Sequence, residues 1–461
     1  MSDAIADELT GIDLGDKRLD KRSKLILADL AAKPEASINA ACDGWGDTLA
    51  AYRFFDNEAV TPEEILKPHR AATIGRMKEH PVVLLVQDTT EFDYTAHPPK
   101  DARCLNVAYR FGLYAHAHLA VTPDRLNLGV VGLHFFDRAA ETLGQSAERR
   151  TLPIEEKESG RWLDGYKLAC DMAAAAPDTQ VVSIADREGD IYDIYLEAQA
   201  REGPRAEYVI RSRVDRRTLE RNPAAGKQAF CKVRSEVAAS KLLVTRTIEL
   251  NETSKRSARI ATVEIRAVTV QVKPPHERSH LPSVTFNVVL VEEVGGPGDD
   301  TDISWLLITS LPIDTLAAVL LIIEYYGARW AVEIFFRTLK TGCRVEEVQL
   351  DTQARLKNCL AMYAIVAWRV LYLTYLNRTC PTLPCTAVFT KNEWTSVWRI
   401  VAKKLLPPQP PELAEIMRLL ARLGGYNNRA GEAPFGPQTI WIGLRRMADF
   451  VLARAAFVKE T

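Results

Sequence analysis

The spacing of apolar residues changes character along the chain, and each change predicts a different kind of structure. Over the first 72 residues they recur at helical spacing in short blocks broken at Lys33-Pro34 and Thr61-Pro62, with Ser37, Asp43 and Thr61 placed to cap helices. A helix from Ala71 to Lys78 then leads into Pro81-Val82-Val83-Leu84-Leu85-Val86-Gln87, which reads as a buried strand. Strand-like stretches at Tyr114 to Val121 and Leu126 to His134, a helix from Glu155 to Ala175 and the apolar run Val181 to Ala185 follow. Several strands, then alternating helices and strands, predict an α/β (α+β) fold around a mixed sheet. Residues 206 to about 296 alternate or run β-branched, with turns at Asn222-Pro223 and Pro274-Pro275, and predict a β-rich insertion. A strand at Trp305 to Thr309 and a long helix come next, and from about 366 the pattern is helical apart from a break at Pro407 to Pro411. The expected division is 1–72, 73–365 with the insertion at 206–296, and 366–461.

Both buried runs end in an aspartate. Asp88 is followed by Thr89-Thr90, and Asp186 by Arg187-Glu188-Gly189-Asp190. Buried strands carry few charges, so an Asp at each carboxyl end calls for a partner or a metal; a turn or helix cap is the plainer reading of either one alone. A third pattern, Y-x2-R-x3-E-x6-K, is formed by Tyr326, Arg329, Glu333 and Lys340. At roughly 100° per residue these four fall within about 60° of one another on a helix, which predicts a single stripe. Glu333 could hold a divalent cation there while Arg329 and Lys340 grip phosphates and Tyr326 donates its hydroxyl to one. The same residues also suit a solvated face with an Arg329–Glu333 pair. Asp88, Asp186 and Glu333 together make an Asp, Asp, Glu set. An all-oxygen set favours Mg²⁺, with Mn²⁺ able to substitute, over zinc. Glu188 and Asp190 lie close enough in sequence to assist Asp186.

These motifs resemble those of the DDE transposases of the insertion-sequence-four family, the group that includes the transposon-five transposase. That family is marked by a Y-R-E-K helix and by strand-end Asp residues in D-T-T and D-R-E contexts, and all occur here in the same order. The resemblance extends through Leu14-Gly15-Asp16 with Arg18, Ala51-Tyr52-Arg53-Phe54, Lys157-Glu158-Ser159 with Arg161-Trp162, and Gly424-Gly425-Tyr426. It implies an RNase H-like catalytic domain with Asp88, Asp186 and Glu333 as catalytic metal ligands. It also implies a helical DNA-end-binding domain at the N-terminus and a helical dimerisation domain at the C-terminus. The implied reaction is cut-and-paste transposition of an insertion sequence at its terminal inverted repeats, through strand cleavage, a hairpin and strand transfer. Trp305 matches the family's stacking Trp, which would receive a base taken out of the hairpin; the residue-level alternative is an aromatic opening a core strand.

Charge complicates this picture without overturning it. The 461 residues carry 59 Lys and Arg against 60 Asp and Glu, a formal net charge of −1, so DNA binding must rest on local basic patches. One runs through Lys17, Arg18, Lys21, Arg22 and Lys24, another from Arg201 through Arg211, Arg213, Arg216, Arg217 and Arg221 to Lys227. Such runs often are solvated faces; the family places DNA contacts in both, which singles out Arg18, Arg22, Arg211 and Arg213. No apolar run of eighteen residues and no N-terminal apolar leader appears, so no membrane partner is expected and the expected location is the cytoplasm, with the resemblance implying a bacterial, nucleoid-associated protein. The eight Cys show no C-x2-C pair and are expected to be reduced thiols. The His116, His118 pair is expected to be structural. Double-stranded DNA, as inverted-repeat ends and target, and a second copy of the chain are the expected partners. The stripe Ile440, Ile442, Leu444, Met447, Phe450, Val451 and Leu452 offers a homodimer surface, or packs within its own chain. A catalytically silent DNA-binding regulator and a structure-selective nuclease are the alternative functions.

Overall fold

The computed structural model describes residues 5–42, 44–138, 154–221, 230–250, 257–298, 302–427, 429 and 433–458. The expected cap Asp43, the turn Asn222-Pro223 and Lys227 lie outside them. In chain order the helices are α1 (Lys17–Ala32), α2 (Ile38–Ala41), α3 (Trp45–Phe55), α4 (Pro62–Met77), α5 (Gly160–Ala175), α6 (Tyr192–Ala200), α7 (Val233–Ala239), α8 (Leu316–Gly327), α9 (Trp330–Arg337), α10 (Gln353–Thr379), α11 (Lys391–Val397), α12 (Leu413–Leu423) and α13 (Pro437–Val458). The strands are β1 (Val82–Asp93), β2 (Arg103–Cys104), β3 (Phe111–Val121), β4 (Asn127–Phe136), β5 (Gln180–Ala185), β6 (Glu207–Arg211), β7 (Arg217–Arg221), β8 (Phe230–Lys232), β9 (Leu242–Leu250), β10 (Arg259–Val272), β11 (Val284–Glu293) and β12 (Ser304–Thr309). The chain divides into two compact units, one formed by Met1–Glu79, Thr89–Gly144 and Ala331–Thr461, the other by His80–Asp88 and Gln145–Trp330. This is the mixed α/β class expected from the sequence, with helical N- and C-terminal regions.

In the first unit, capping chemistry sets where the N-terminal helices begin. Ser37 accepts from the Ala40 N–H and Thr61 from the Glu64 N–H, so α2 and α4 start where the sequence placed their caps. Helix α4 starts nine residues earlier than the expected Ala71, because the Thr61 cap and Pro62 in the first turn fix its origin. Helix α10 is buried on nearly every side, which explains its lack of a polar face. It is long and apolar enough to cross a membrane, yet 83% of its most apolar window is buried within the protein. Its buried Asn358 amide donates to the carbonyls of Phe55 (3.1 Å) and Val60 (2.8 Å), and the Trp368 indole donates to the Asn127 carbonyl at 2.9 Å. A second tie holds the N-terminus. Glu8 accepts from Arg76 (2.8 and 3.1 Å) and from Nδ1 of the fully buried His69 (2.5 Å), whose Nε2 accepts the Val130 N–H at 3.0 Å.

The C-terminal stripe is the clearest departure within this unit. Ile440, Leu444 and Met447 are buried against the protein's own helices, α13 packing on α12 and α11, while Phe450 and Val451 are half-exposed and Leu452 is exposed. The close approach is set by Gly443, where a Cβ would stand 2.3 Å from the Leu420 carbonyl oxygen. Only the last part of the stripe is therefore open to a second copy.

The second unit is organised by its sheet. Residues Val82–Val86 of β1 pair in parallel with β5, β5 pairs in parallel with β6, and β6 is followed by the antiparallel neighbours β12, β11 and β10. The strands of 206–296 thus join the same sheet as β5 and β6, with α7 lying among them. Residue 155 begins no long helix: a 3₁₀ turn at Ile154–Glu156 precedes α5. Strand β1 also continues past Asp88 to Asp93: Thr89 to Glu91 are half-exposed while the backbone stays extended, a change that an apolar-run criterion cannot see.

Candidate active site

The site is built from the register of two strands. Side chains Val83 to Val86 of β1 are fully buried, and Asp88 is the first half-exposed position of that strand after the buried Gln87. Across the parallel pair, Leu84 lies opposite Val182 and Val86 opposite Ile184. The paired register ends at Val86 and Ile184; Asp88 lies two residues further along β1, and Asp186 two residues beyond Ile184, just past the end of β5. Asp186 follows the last residue of β5 and also caps the 3₁₀ turn Arg187–Gly189, its Oδ1 accepting the Glu188 N–H at 2.8 Å. The cap and the strand-end carboxylate are the same residue.

A half-buried carboxylate calls for a cation or donors close by, and Asp88 has one. The Arg329 guanidinium donates to Asp88 Oδ2 at 2.9 Å, with both side chains largely buried. Tyr326 is 6% exposed and meets the Trp305 ring edge-on, centroids 5.4 Å apart at 65°. Burial pushes the Tyr326 hydroxyl up from its ordinary pKa, Arg329 and Arg211 pull it back, and Asp186 adds to the upward push, so the group is a protonated donor at neutral pH. Arg211 ends β6 and donates to the Ser304 carbonyl at 3.1 Å; its Nε is buried and has no hydrogen-bond partner among the described residues. Burial depresses its pKa, Tyr326 raises it, and Arg187 and Arg329 press it down again. Arg329 thus bonds Asp88, while Asp186, Arg211 and Arg329 all act electrostatically on Tyr326, whose ring meets Trp305. Such a set can hold an anionic phosphate oxygen beside a carboxylate-bound cation.

Asp190 is not available to assist Asp186. It is fully buried and accepts from Tyr195 Oη (2.7 Å), Ser212 Oγ (3.2 Å), the Arg213 and Val214 N–H groups (2.7 and 2.9 Å) and Arg216 (2.5 Å). Its role is to fix the turn that leaves β6. Glu188 is exposed and pairs with Arg161 at 3.0 Å.

The expected single Y-R-E-K stripe is corrected. Tyr326 lies on α8, Arg329 in the two-residue interruption at 328–329, Glu333 on α9, and Lys340 in a π-helical turn at Thr338–Gly342 closed by the Cys343 N–H to the Thr338 carbonyl at 2.9 Å. After Gly327 the bonding tightens to i→i+3, with the Arg329 N–H on the Tyr326 carbonyl, and then widens to i→i+5, so the 100° spacing does not hold across the motif. Tyr326 and Arg329 belong to the second unit and Glu333 and Lys340 to the first. Lys340 lies 3.5 Å from Glu346 and over the Phe92 ring at 5.6 Å. Among the described residues no group of three or more His, Cys, Asp or Glu is set to hold a metal ion. Asp88 on β1 and Asp186 just past β5 supply hard carboxylate oxygens, of the kind that bind divalent cations.

Of the outer candidates, Arg18 is 92% exposed and folds back onto Asp16, while Arg22 ties α1 to α3 through Asp47 at 2.7 Å. Arg213 is exposed, and its backbone rather than its side chain serves Asp190. Sequence reasoning passed over Arg187, although the D-R-E motif carried it.

Comparison with known families supplies the remaining observation. A family model described as transposase DNA-binding matches residues 1–60, one described as transposase DDE domain matches 177–369, and one described as transposase Tn5 dimerisation domain matches 365–460. The chain belongs to the DDE transposases. The DDE match contains Asp186, Trp305, Tyr326, Arg329, Glu333 and Lys340, and Asp88 precedes it. A cryo-EM structure of a piggyBac transposase synaptic complex with hairpin DNA aligns with 93% of this chain and 71% of its own at 8% identity, with a TM-score of 0.35 too low to carry an argument. The transposase is accordingly a DNA-cleaving and strand-transferring enzyme that binds DNA and dimerises, and DDE domains generally depend on a divalent metal.

Proposed function

We propose that the transposase moves an insertion sequence by cut and paste, cutting at terminal inverted repeats, passing through a hairpin and joining the element to target DNA. The observation that supports this reading is that Asp88 stands on β1, whose parallel neighbour β5 ends just before Asp186, with Arg329 donating to Asp88. In this reading Asp88, Asp186 and Glu333 are the catalytic metal ligands. Bound Mg²⁺, or Mn²⁺ in its place, would activate the attacking oxygen and support the leaving one. The protein's own side chains do the positioning on which phosphoryl transfer depends. Arg329 and Lys340 hold phosphates beside the cut, Tyr326 donates its hydroxyl to one, and Arg211 adds its guanidinium beside Tyr326. Trp305, half-exposed above Tyr326, stacks on the base displaced when the strand bends. Arg213, Arg18 and Arg22 add phosphate contacts.

The proposed division of labour is end binding by 1–72, catalysis by 73–365 with the β insertion at 206–296, and dimerisation by 366–461, two copies holding two ends. Duplexes carrying the flanking inverted repeats, incubated with the purified transposase and Mg²⁺, test the whole reading. Cleavage at the repeat ends is expected, together with its abolition by Asp88→Ala, Asp186→Ala or Glu333→Ala while end binding persists. Binding without cleavage by the unaltered protein favours the silent regulator, and cleavage of branched DNA without preference for the repeats favours the nuclease.

A further inference from the structure

Trp45, on the first turn of α3, is 76% exposed, the most exposed tryptophan among the described residues. The same helix buries Ala51, Phe54 and Phe55 completely, so it has an apolar core face and still leaves its largest side chain in water. Gly44 and Gly46 flank it, and a Cβ on either would meet nothing within 4 Å, so the indole stands on open ground.

The neighbouring helix α1 carries exposed cations. Asp47, two residues on, accepts from Arg22 at 2.7 Å and so pins the first turn of α3 beside α1, whose exposed face carries Lys17, Arg18 and Lys21. Those cations can neutralise phosphates of any sequence. An indole brings no charge; it brings a π-face and an apolar edge that a base step or sugar can meet, as apolar wedges do in the minor groove.

We propose that Trp45 is the base-contacting residue of the N-terminal segment, an apolar wedge set against the base steps of the transposon end while Lys17, Arg18 and Lys21 hold its phosphates. The inference rests on the end-binding reading above and adds to it the residue that senses the bases.

The two kinds of contact differ in salt dependence, since only phosphate contacts release counterions. Binding of a terminal-repeat duplex and a random duplex is measured across a salt series for the wild type, Trp45→Ala, Trp45→Phe and Arg18→Ala. Trp45→Ala is expected to weaken end binding by about 10- to 100-fold with an unchanged salt slope, and Trp45→Phe to keep most of the affinity. Arg18→Ala is expected to weaken both duplexes alike and to lower the slope by about 1. Trp45→Ala binding as tightly as wild type overturns the proposal, as does an equal loss on both duplexes with a shallower slope. Iodide quenching of wild type and Trp45→Phe gives a readout that does not depend on the Ala variant folding. The fluorescence they do not share should lose iodide access when end DNA binds; retained access overturns the assignment. If the wild type fails to prefer the repeat over random duplex, end recognition itself falls, and this assignment with it.

Discussion

Trp305 shows how one residue can satisfy two readings at once. It lies at the start of β12, paired with Val291 in the sheet, and also presents a half-exposed ring against Tyr326. A strand aromatic and a stacking platform are not exclusive, because the strand fixes the ring while its free face stays open. Trp305→Ala should therefore leave the first nick near its wild-type rate and slow hairpin formation or resolution, as followed on denaturing gels over time. Equal loss at both steps, or none, would make it a packing residue. Asp88 and Asp186 stand out in the sequence because each follows an apolar run, where a charge is costly without a partner. Asp190 does not: nothing in its sequence context reveals that five donors converge on it, since Tyr195, Ser212, Arg213, Val214 and Arg216 come together only in the fold.

At the scale of elements, sequence spacing identified which helices and strands exist more readily than how they join. The Y-R-E-K segment reads as one helix because its residues have helical spacing, yet 328–329 and 338–342 depart from α geometry in opposite senses, and no propensity signal marks either. The α13 stripe was ambiguous for a different reason, since an apolar face looks the same whether its own chain or another covers it. The tie between the N-terminal 3₁₀ turn Ala6–Leu9 and α4 yields a pH prediction. Burial alone would raise the Glu8 pKa, but the His69 and Arg76 donors outweigh it and bring it from 4.5 down to about 2. A depressed carboxylate contributes stability that is present above pH 4.5 and lost as pH falls towards 2. His69, lowered below 6.5 by burial first, stays neutral so that its Nε2 can accept the Val130 N–H, and it withdraws stability as pH falls below 6.5. Glu8→Gln should cost about 3–5 kcal/mol at pH 7, because it leaves the Arg76 charge without its partner. Its melting temperature should converge on the wild type near pH 2, where Glu8 is protonated too; a constant gap from pH 7 to pH 2 would remove Glu8 from the acid response.

For the whole molecule, dimerisation is where the structure redirects the sequence argument. Removing everything after Gly425 would strip Ile440, Leu444 and Met447 from the protein's own core, so truncation is expected to destabilise the first unit as well as any interface. The exposed end of α13 is the better probe. Leu452→Asp should leave folding and single-end binding intact and weaken the complex that pairs two ends, read by light scattering and gel shift with both ends supplied. A normal paired complex would place the interface elsewhere on the C-terminal region.

The central claim is that Asp88 on β1 and Asp186 just past the end of β5 hold the divalent ion at which DNA is cut. Titrating Mn²⁺ into the transposase bound to its end duplex, with free Mn²⁺ read by electron paramagnetic resonance, tests it without relying on cleavage. Asp88→Asn and Asp186→Asn should each weaken Mn²⁺ binding by about tenfold or more, a loss of at least roughly 1.4 kcal/mol, while Glu188→Gln leaves it unchanged. Wild-type Mn²⁺ affinity in either Asn variant would contradict the account.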